Sequence, residues 1–323
     1  CVAGLACAVL CGCAKEASGL TPVTLYEVAH SIFYAPQYAA IELGYFEEEG
    51  LDLTLVNGAG ADKVMTAMLA GDADIGFMGS EASIYTYAQG AEDYAVNFAQ
   101  LTQRAGNFLV GRTAQPDFKW EDLKGKKVLG GRAGGMPQMV FEYILKKHGI
   151  DPKTDLTIDQ SISFGLTAAA FTSGDADYTV EFEPFATTLE MENCGTVVAS
   201  LGRDSGYVPY TAYCAKKSYM EKNPQLIQKF TNAIQKGLDY VNSHSAWEIA
   251  KTIQPQFKDT PVEKIAAIID RYKSQDTWKE DLIFHKDAFD LLQNILEDSD
   301  VLKERVPYEA LVTTEFAEKA TAR

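Results

Sequence analysis

The sequence predicts an α/β protein of two Rossmann-like lobes joined by two crossing strands, with a helical C-terminal tail on lobe one. Three observations carry this reading. The chain has 323 residues, too long for one small core and suited to two domains of roughly 100–200 residues each. Gly71-Asp-Ala-Asp-Ile-Gly recurs as Gly174-Asp-Ala-Asp-Tyr-Thr, each just after a small-residue helical pattern, Val64–Ala70 and Leu166–Thr172. Upstream of each copy a Pro-Gln pair, at Pro36 and at Pro137, opens an amphipathic helix, and the helices run out near Gly50-Leu-Asp and Gly149-Ile-Asp. Three ordered matches at one spacing of about 100 residues indicate two related units.

The elements follow in order. Val23–Val28 is an apolar, β-rich run, Pro36 suits the first turn of a helix, and Gly50 suits its exit. Leu51–Val56 alternates as a strand, Asp62–Ala70 has helical spacing stopped by Gly71, and Ile75–Met78 is a third strand. Strands alternating with helices imply a parallel sheet with right-handed crossovers. In the second unit Lys127–Gly130, Leu156–Ile158 and Tyr178–Phe182 take the three strand parts, after a Lys124-Gly-Lys-Lys turn. Tyr207–Ala215 reads as a further strand. Asn223-Pro224 then caps a helix with apolar residues at Leu226, Phe230, Ile234, Leu238 and Val241, followed by helices near 245–253, 262–273 and 286–298. The expected division is 1–19 leader and linker, 20–110 plus 207–323 lobe one, and 111–206 lobe two. Asn107–Arg112 and Tyr207–Tyr210 are the expected crossing strands, and two crossings make a hinge.

Hydrophobic residues at 46% and charged residues at 23% are globular proportions and exclude a disordered or collagen-like chain. The 29 basic and 45 acidic residues leave −16, a charge that repels phosphate backbones and argues against nucleic acid as a partner. No stretch reaches the ~18 apolar residues of a membrane span, which excludes a polytopic transporter. Cys1–Gly12 is uncharged and runs into a polar Ala14–Gly19 linker, so it reads as the end of a secretory apolar region. Leu10-Cys-Gly-Cys13 resembles a bacterial lipobox, with Cys13 the expected lipid acceptor. The protein would then sit outside the cytoplasmic membrane, touching it only through that anchor. Cys194 and Cys214 are left for the folded part, either free or paired. The four histidines are scattered singly and no metal spacing occurs.

Pro36-Gln-Tyr-Ala-Ala-Ile-Glu-Leu-Gly-Tyr-Phe-Glu-Glu-Glu-Gly-Leu-Asp-Leu, Ala67-Met-Leu-Ala-Gly-Asp-Ala-Asp-Ile-Gly and Asp122-Leu-Lys-Gly-Lys-Lys-Val resemble the substrate-binding proteins of ABC importers. The nearest such family handles thiamine-pyrimidine precursors, aliphatic sulfonates, taurine and nitrate. The resemblance covers about residues 22–250 and implies a type II periplasmic binding protein. Such a protein is expected as a monomer that closes on a small molecule and meets an ABC permease, with no cofactor. A eukaryotic pyrimidine-synthase branch shares the fold, and there a Lys, a His and a Cys-rich segment carry the chemistry. No Cys-rich run follows the leader here, so an enzyme is not expected.

Ligands of open parallel sheets bind beyond the carboxyl ends of the strands. Lobe one then offers His30, Ser31, Phe33, Tyr34 and Pro36, with Asn57 and Gly58, then Phe77, Gly79, Ser80 and Glu81. Lobe two offers Arg132, Gly134, Gly135, Phe164 and one of Glu181 and Glu183 turned inward, with Tyr207 at the crossing. The aromatic residues would stack on a flat ring. Arg132 with the backbone at Gly134 and Gly135 would suit a sulfonate-like anion, whereas carboxylates on both jaws suit a ring with N–H donors. A nitrogen heterocycle such as a thiamine pyrimidine precursor is the favoured ligand, with sulfonate, taurine or nitrate as the alternative.

Overall fold

The computed structural model describes residues 19–131, 133–163 and 165–322. Cys13, Arg132 and Phe164 therefore lie outside the described residues. The first unit runs β1 (Thr21–Glu27), α1 (Ala35–Glu42), α2 (Tyr45–Glu48), β2 (Leu51–Asn57), α3 (Ala61–Ala70), β3 (Ile75–Gly79), α4 (Glu81–Ala88) and β4 (Ala95–Thr102). The second runs β5 (Asn107–Gly111), β6 (Lys127–Leu129), α5 (Met136–Lys147), β7 (Thr157–Asp159), α6 (Thr167–Ser173), β8 (Tyr178–Phe182), α7 (Phe185–Met191), β9 (Thr196–Ser200) and α8 (Leu201–Ser205). The chain returns through β10 (Thr211–Lys216) and α9 (Lys217–Lys222). It ends in α10 (Pro224–Ser243), α11 (Ala246–Ile253), α12 (Val262–Ser274), α13 (Lys286–Asp298), α14 (Tyr308–Leu311) and α15 (Glu315–Thr321).

The strands form two five-stranded sheets, ordered β2-β1-β3-β10-β4 and β7-β6-β8-β5-β9. The two orders match strand for strand. In each, the first three strands are parallel and the fourth is antiparallel, supplied by the chain as it arrives from the other sheet. The repeated Gly-Asp-Ala-Asp has a physical job that is the same in both halves. The second Asp of each copy accepts a main-chain N–H of the second-placed strand of its sheet, β1 or β6, Thr24 to Asp74 at 2.8 Å and Lys127 to Asp177 at 2.9 Å, 50 residues apart in each case. The Asp N–H returns a bond to the same strand residue.

The crossings differ from the sequence reading. Asn107–Gly111 is an interior strand of the second sheet, paired with both β8 and β9, so the chain passes between sheets in residues 103–106. Tyr207–Tyr210 is not a strand. Pairing of the return strand begins at Thr211, because Pro209 has no N–H for a ladder and the segment 206–210 makes the second passage. Both apolar runs gain more from a ladder inside a sheet than from spanning the gap between sheets.

The tail sits mainly on the first sheet's helices. α10 buries Ile227, Phe230, Ile234, Leu238 and Val241 against α1, α2 and α15, and α11 also meets α1. Gly237 permits the close approach of α10 to α1, since a Cβ there would run into the Pro36 carbonyl. Two tail helices reach further: α12 packs against the short turn Ile32–Tyr34, and α13 touches α5 of the second unit. Among the described residues no helix is long and apolar enough to cross a membrane, and Cys194 and Cys214 are free thiols.

Candidate functional site

The segments just beyond the carboxyl ends of β1 and β8 meet, the Ser31 hydroxyl donating to the Glu183 carbonyl at 3.3 Å. On the first side, β1 ends in Glu27, which is fully buried. Its carboxylate accepts from Gln37 Nε2 (2.7 Å) and the Tyr38 hydroxyl (2.8 Å) and contacts His30 Nδ1 (2.8 Å). His30 Nε2 meets the Gln256 carbonyl at 2.9 Å. With an acceptor at each ring nitrogen, His30 favours its charged form. The bond to Glu27 raises its pKa despite partial burial. His30 thus ties β1 to the tail and has no nitrogen left for a ligand.

Ser31 caps the next turn, its Oγ accepting the Phe33 N–H at 3.3 Å. Phe33 is wholly buried at the junction, with Phe182 at 6.4 Å, Tyr210 at 5.8 Å and Tyr272 at 5.2 Å between ring centroids. Gly106 makes room for it, because a Cβ there would lie 2.8 Å from the Phe33 ring. Tyr34 is buried edge-on against Phe77 (4.5 Å).

Glu81, the first residue of α4, is 5% exposed, and its Oε2 has no hydrogen-bond partner within the chain. Gly79 creates its niche: a Cβ at Gly79 would overlap the Glu81 carboxylate. Burial pushes the Glu81 carboxyl up to about 7, with its own N–H pulling weakly the other way. The same carboxylate helps raise the pKa values of Tyr34, Tyr85 and Tyr210, after burial itself.

The first residue of β5 and the last of the second passage add two residues that the sequence reading did not place in the site. The Tyr210 hydroxyl donates to Asn107 Oδ1 at 2.7 Å. Asn107 is fully buried, and its Nδ2 is a second unpartnered atom. Glu81 Oε2 and Asn107 Nδ2, an acceptor and a donor, are thus both buried without a partner within the chain.

From the second side, Met136 and Met139 of α5 are buried, and the Tyr85 hydroxyl meets Met139 Sδ at 3.6 Å across the gap. Both Glu181 and Glu183 are 1% exposed, against the expectation that only one of them would turn inward. Residues two apart on an extended chain share a face, and Glu183 lies beyond the strand end. Glu181 accepts from Thr167 Oγ1 (2.9 Å) and Thr179 Oγ1 (2.6 Å), and burial pushes it up to about 7 while those hydroxyls draw it down. Glu183 accepts the Thr187 N–H (3.0 Å) and pairs with Arg271 (2.6 Å), and its carbonyl accepts the Ser31 hydroxyl at 3.3 Å across the gap.

The remaining candidates sit in structural roles. Pro36 packs under α10. Asn57 is exposed and accepts the Ala59 N–H at 2.9 Å. Gly58 is packed so that a Cβ would lie 2.6 Å from Val64. Phe77 stacks on Tyr213 inside the first sheet's core (4.2 Å), and the Ser80 hydroxyl donates to the Pro209 carbonyl. Gly134 gives its N–H to Gln138 Oε1 (2.6 Å), and Gly135 is the N-cap of α5. Tyr207 is 53% exposed, with its hydroxyl on Asp276 (2.7 Å) and the Arg104 guanidinium 4.1 Å above its ring, so it faces away from the gap. It stands three positions before Tyr210, an odd offset that places the two phenols on opposite sides of an extended segment. Among the described residues, no group of three His, Cys, Asp or Glu could hold a metal ion.

Two sheets of matched order, crossed twice and converging on buried polar and aromatic groups, define the periplasmic-binding-protein fold. The alkanesulfonate-binding protein SsuA from Xanthomonas axonopodis pv. citri, solved bound to MOPS, shares that fold with a TM-score of 0.71 at 16% identity, over 92% of this chain and 98% of that one. The chain belongs to the NMT1/THI5-like family, whose model matches residues 32–246. It is 47% identical over 308 residues to "Putative binding protein YtlA" of Bacillus subtilis (strain 168), covering 95% of this chain and 92% of that protein. It is 26% identical over 250 residues to the 4-amino-5-hydroxymethyl-2-methylpyrimidine phosphate synthase THI5 of Saccharomyces cerevisiae (strain ATCC 204508 / S288c), covering 70% and 69%.

Proposed function

We propose that this protein is an extracytoplasmic solute-binding protein. It captures a small molecule between its two lobes and delivers it to the permease of an ABC importer, tethered through a lipid on Cys13. The lobes are built on the two sheets and hinge at residues 103–106 and 206–210. The ligand is a flat nitrogen heterocycle of the thiamine-pyrimidine kind. One observation carries the ligand class: Glu81 Oε2 and Asn107 Nδ2 are buried without partners, the second on a side chain whose oxygen is held by the Tyr210 hydroxyl. An orphaned buried polar group costs about 1–3 kcal/mol, a cost that a ligand offering one N–H donor and one acceptor removes. An oxyanion would instead be repelled by Glu81 once that carboxyl ionises. The name of the Bacillus relative supports a binding role, and that of the yeast relative supports a pyrimidine. His30 is bonded at both ring nitrogens, which favours binding over histidine catalysis.

Calorimetric titration of the purified protein with 4-amino-5-hydroxymethyl-2-methylpyrimidine, its formylamino analogue, taurine, alkanesulfonates and nitrate tests the reading. A pyrimidine is expected to bind, and Glu81→Gln to weaken it. Tight binding of an alkanesulfonate, undiminished by Glu81→Gln, overturns the heterocycle.

A further inference from the structure

The tail helix α12 rests on the first-lobe side. It packs against α11 and the turn Ile32–Tyr34. The Tyr272 hydroxyl donates to the Gly106 carbonyl at 3.1 Å, and Gln275 Nε2 to the Ala105 carbonyl at 3.1 Å, both in the first passage between sheets. From this footing several groups reach the second lobe: Ser274 and Gln275 meet Arg203 and Ser200, and two basic side chains reach α7 and the turn before it. Arg271 Nη1 donates to Glu183 Oε1 at 2.6 Å and to Thr187 Oγ1 at 3.3 Å, and Nη2 pairs with Glu190. Lys264, two turns earlier on the same helix, donates to Thr188 Oγ1 at 2.5 Å. The Glu183 side chain is completely buried, while that of Arg271 is 26% exposed.

Glu183 is therefore gripped at two points by groups that do not belong to its own lobe. Its carboxylate is held by the tail's guanidinium, and its carbonyl by the Ser31 hydroxyl of the first lobe at 3.3 Å. The Thr187 N–H and hydroxyl bind the same carboxylate at 3.0 and 2.9 Å, which fixes it to the start of α7. Whatever holds the carboxylate thus sets where the carbonyl sits when the lobes meet. Two carboxylates share one guanidinium. Without that cation, Glu183 and Glu190 would stand as like charges, one of them fully buried, and water would reach Glu183 only if the lobes moved apart.

We propose that Arg271 is the positioning residue of cleft closure: a latch carried by the C-terminal tail that holds the turn after β8 in place for the Ser31–Glu183 contact. This rests on the two-lobed binding-protein reading. Arg271 touches no ligand in this scheme and acts through Glu183. It also gives the tail a role beyond covering the first sheet, since the tail then contributes a third point of control to a hinge otherwise made of two chain passages.

The test is the distribution of interlobe distances in the full chain by pulsed electron paramagnetic resonance. Nitroxides are placed by Lys63→Cys and Asp117→Cys, positions exposed on the first and second units, in a background in which Cys1, Cys7, Cys11, Cys13 and Cys194 are replaced by Ser and only the buried Cys214 is kept. Arg271→Met is expected to shift the population toward longer distances by about tenfold or more, the scale of breaking a partly buried ion pair. Arg271→Lys restores a cation without the forked geometry and is expected to recover part of the short-distance population. Glu183→Gln removes the same pair without leaving a buried charge, and decides the matter if Arg271→Met fails to fold. A short-distance population unchanged in folded Arg271→Met, or in Glu183→Gln if only that variant folds, overturns the latch. Failure of the binding-protein reading shows separately, as no distance change in the parent with any of the pyrimidines, sulfonates or nitrate.

Discussion

Glu81→Gln is the sharpest perturbation of the site, because the buried carboxyl makes stability depend on pH in an unusual direction. In the unfolded chain Glu81 ionises near its ordinary value of 4.5, whereas in the native protein burial pushes it up to about 7. Between these values the unfolded state has lost the proton and the native state retains it. Stability from this group is therefore fully present below pH 4.5, declines as pH rises, and levels off above about 7. The shift of about 2.5 units corresponds to about 3 kcal/mol at 1.36 kcal/mol per unit. Glutamine has no proton to lose, so urea unfolding of parent and variant should show Glu81→Gln gaining about 3 kcal/mol relative to the parent between pH 4 and pH 8. Glu181, also pushed up to about 7, is present in both proteins and cancels in the difference. A difference between the two proteins that does not change with pH would refute the claim that Glu81 is a desolvated, unpaired carboxyl.

Two further predictions concern the repeat and the crossing. Asp74→Ala and Asp177→Ala each remove the acceptor of a main-chain N–H, on β1 and β6 respectively, and should each cost about 1–2 kcal/mol in chemical denaturation; a silent substitution in either half would show that the repeated motif does not have the same role in both. Tyr210→Phe, which deprives Asn107 of its hydroxyl partner, should weaken calorimetric binding of whichever pyrimidine or sulfonate binds the parent by about tenfold. Tyr207→Phe should leave it within about twofold, since that hydroxyl bonds Asp276 on the outside. Equal effects of the two would mean that Tyr210 does not face the ligand.

Local periodicity determined much of this protein. The strand, helix, strand, helix, strand order of both units, the four long tail helices and the Gly-Asp-Ala-Asp repeat are legible because each depends on neighbours within a few residues: an apolar stripe, a proline at a first turn, a glycine at an exit. Four elements were not legible. β4, β9, α4 and α7 are strands or helices only because the sheet edge or the helix layer needed them. Tertiary structure also decided the site. Asn107 and Tyr210 are ordinary residues in apolar runs, and they become a donor and its positioner only when the crossing chains bring them into one buried space. Arg271 lies 88 residues from Glu183, and no spacing rule joins them. Glu81 could be recognised as a loop carboxylate beyond a strand end, but its burial depends on the absent side chain of Gly79. Sequence pattern reports which face of an element is apolar. It does not report which polar group is left without a partner when two such faces meet, since that depends on distances between segments far apart in the chain.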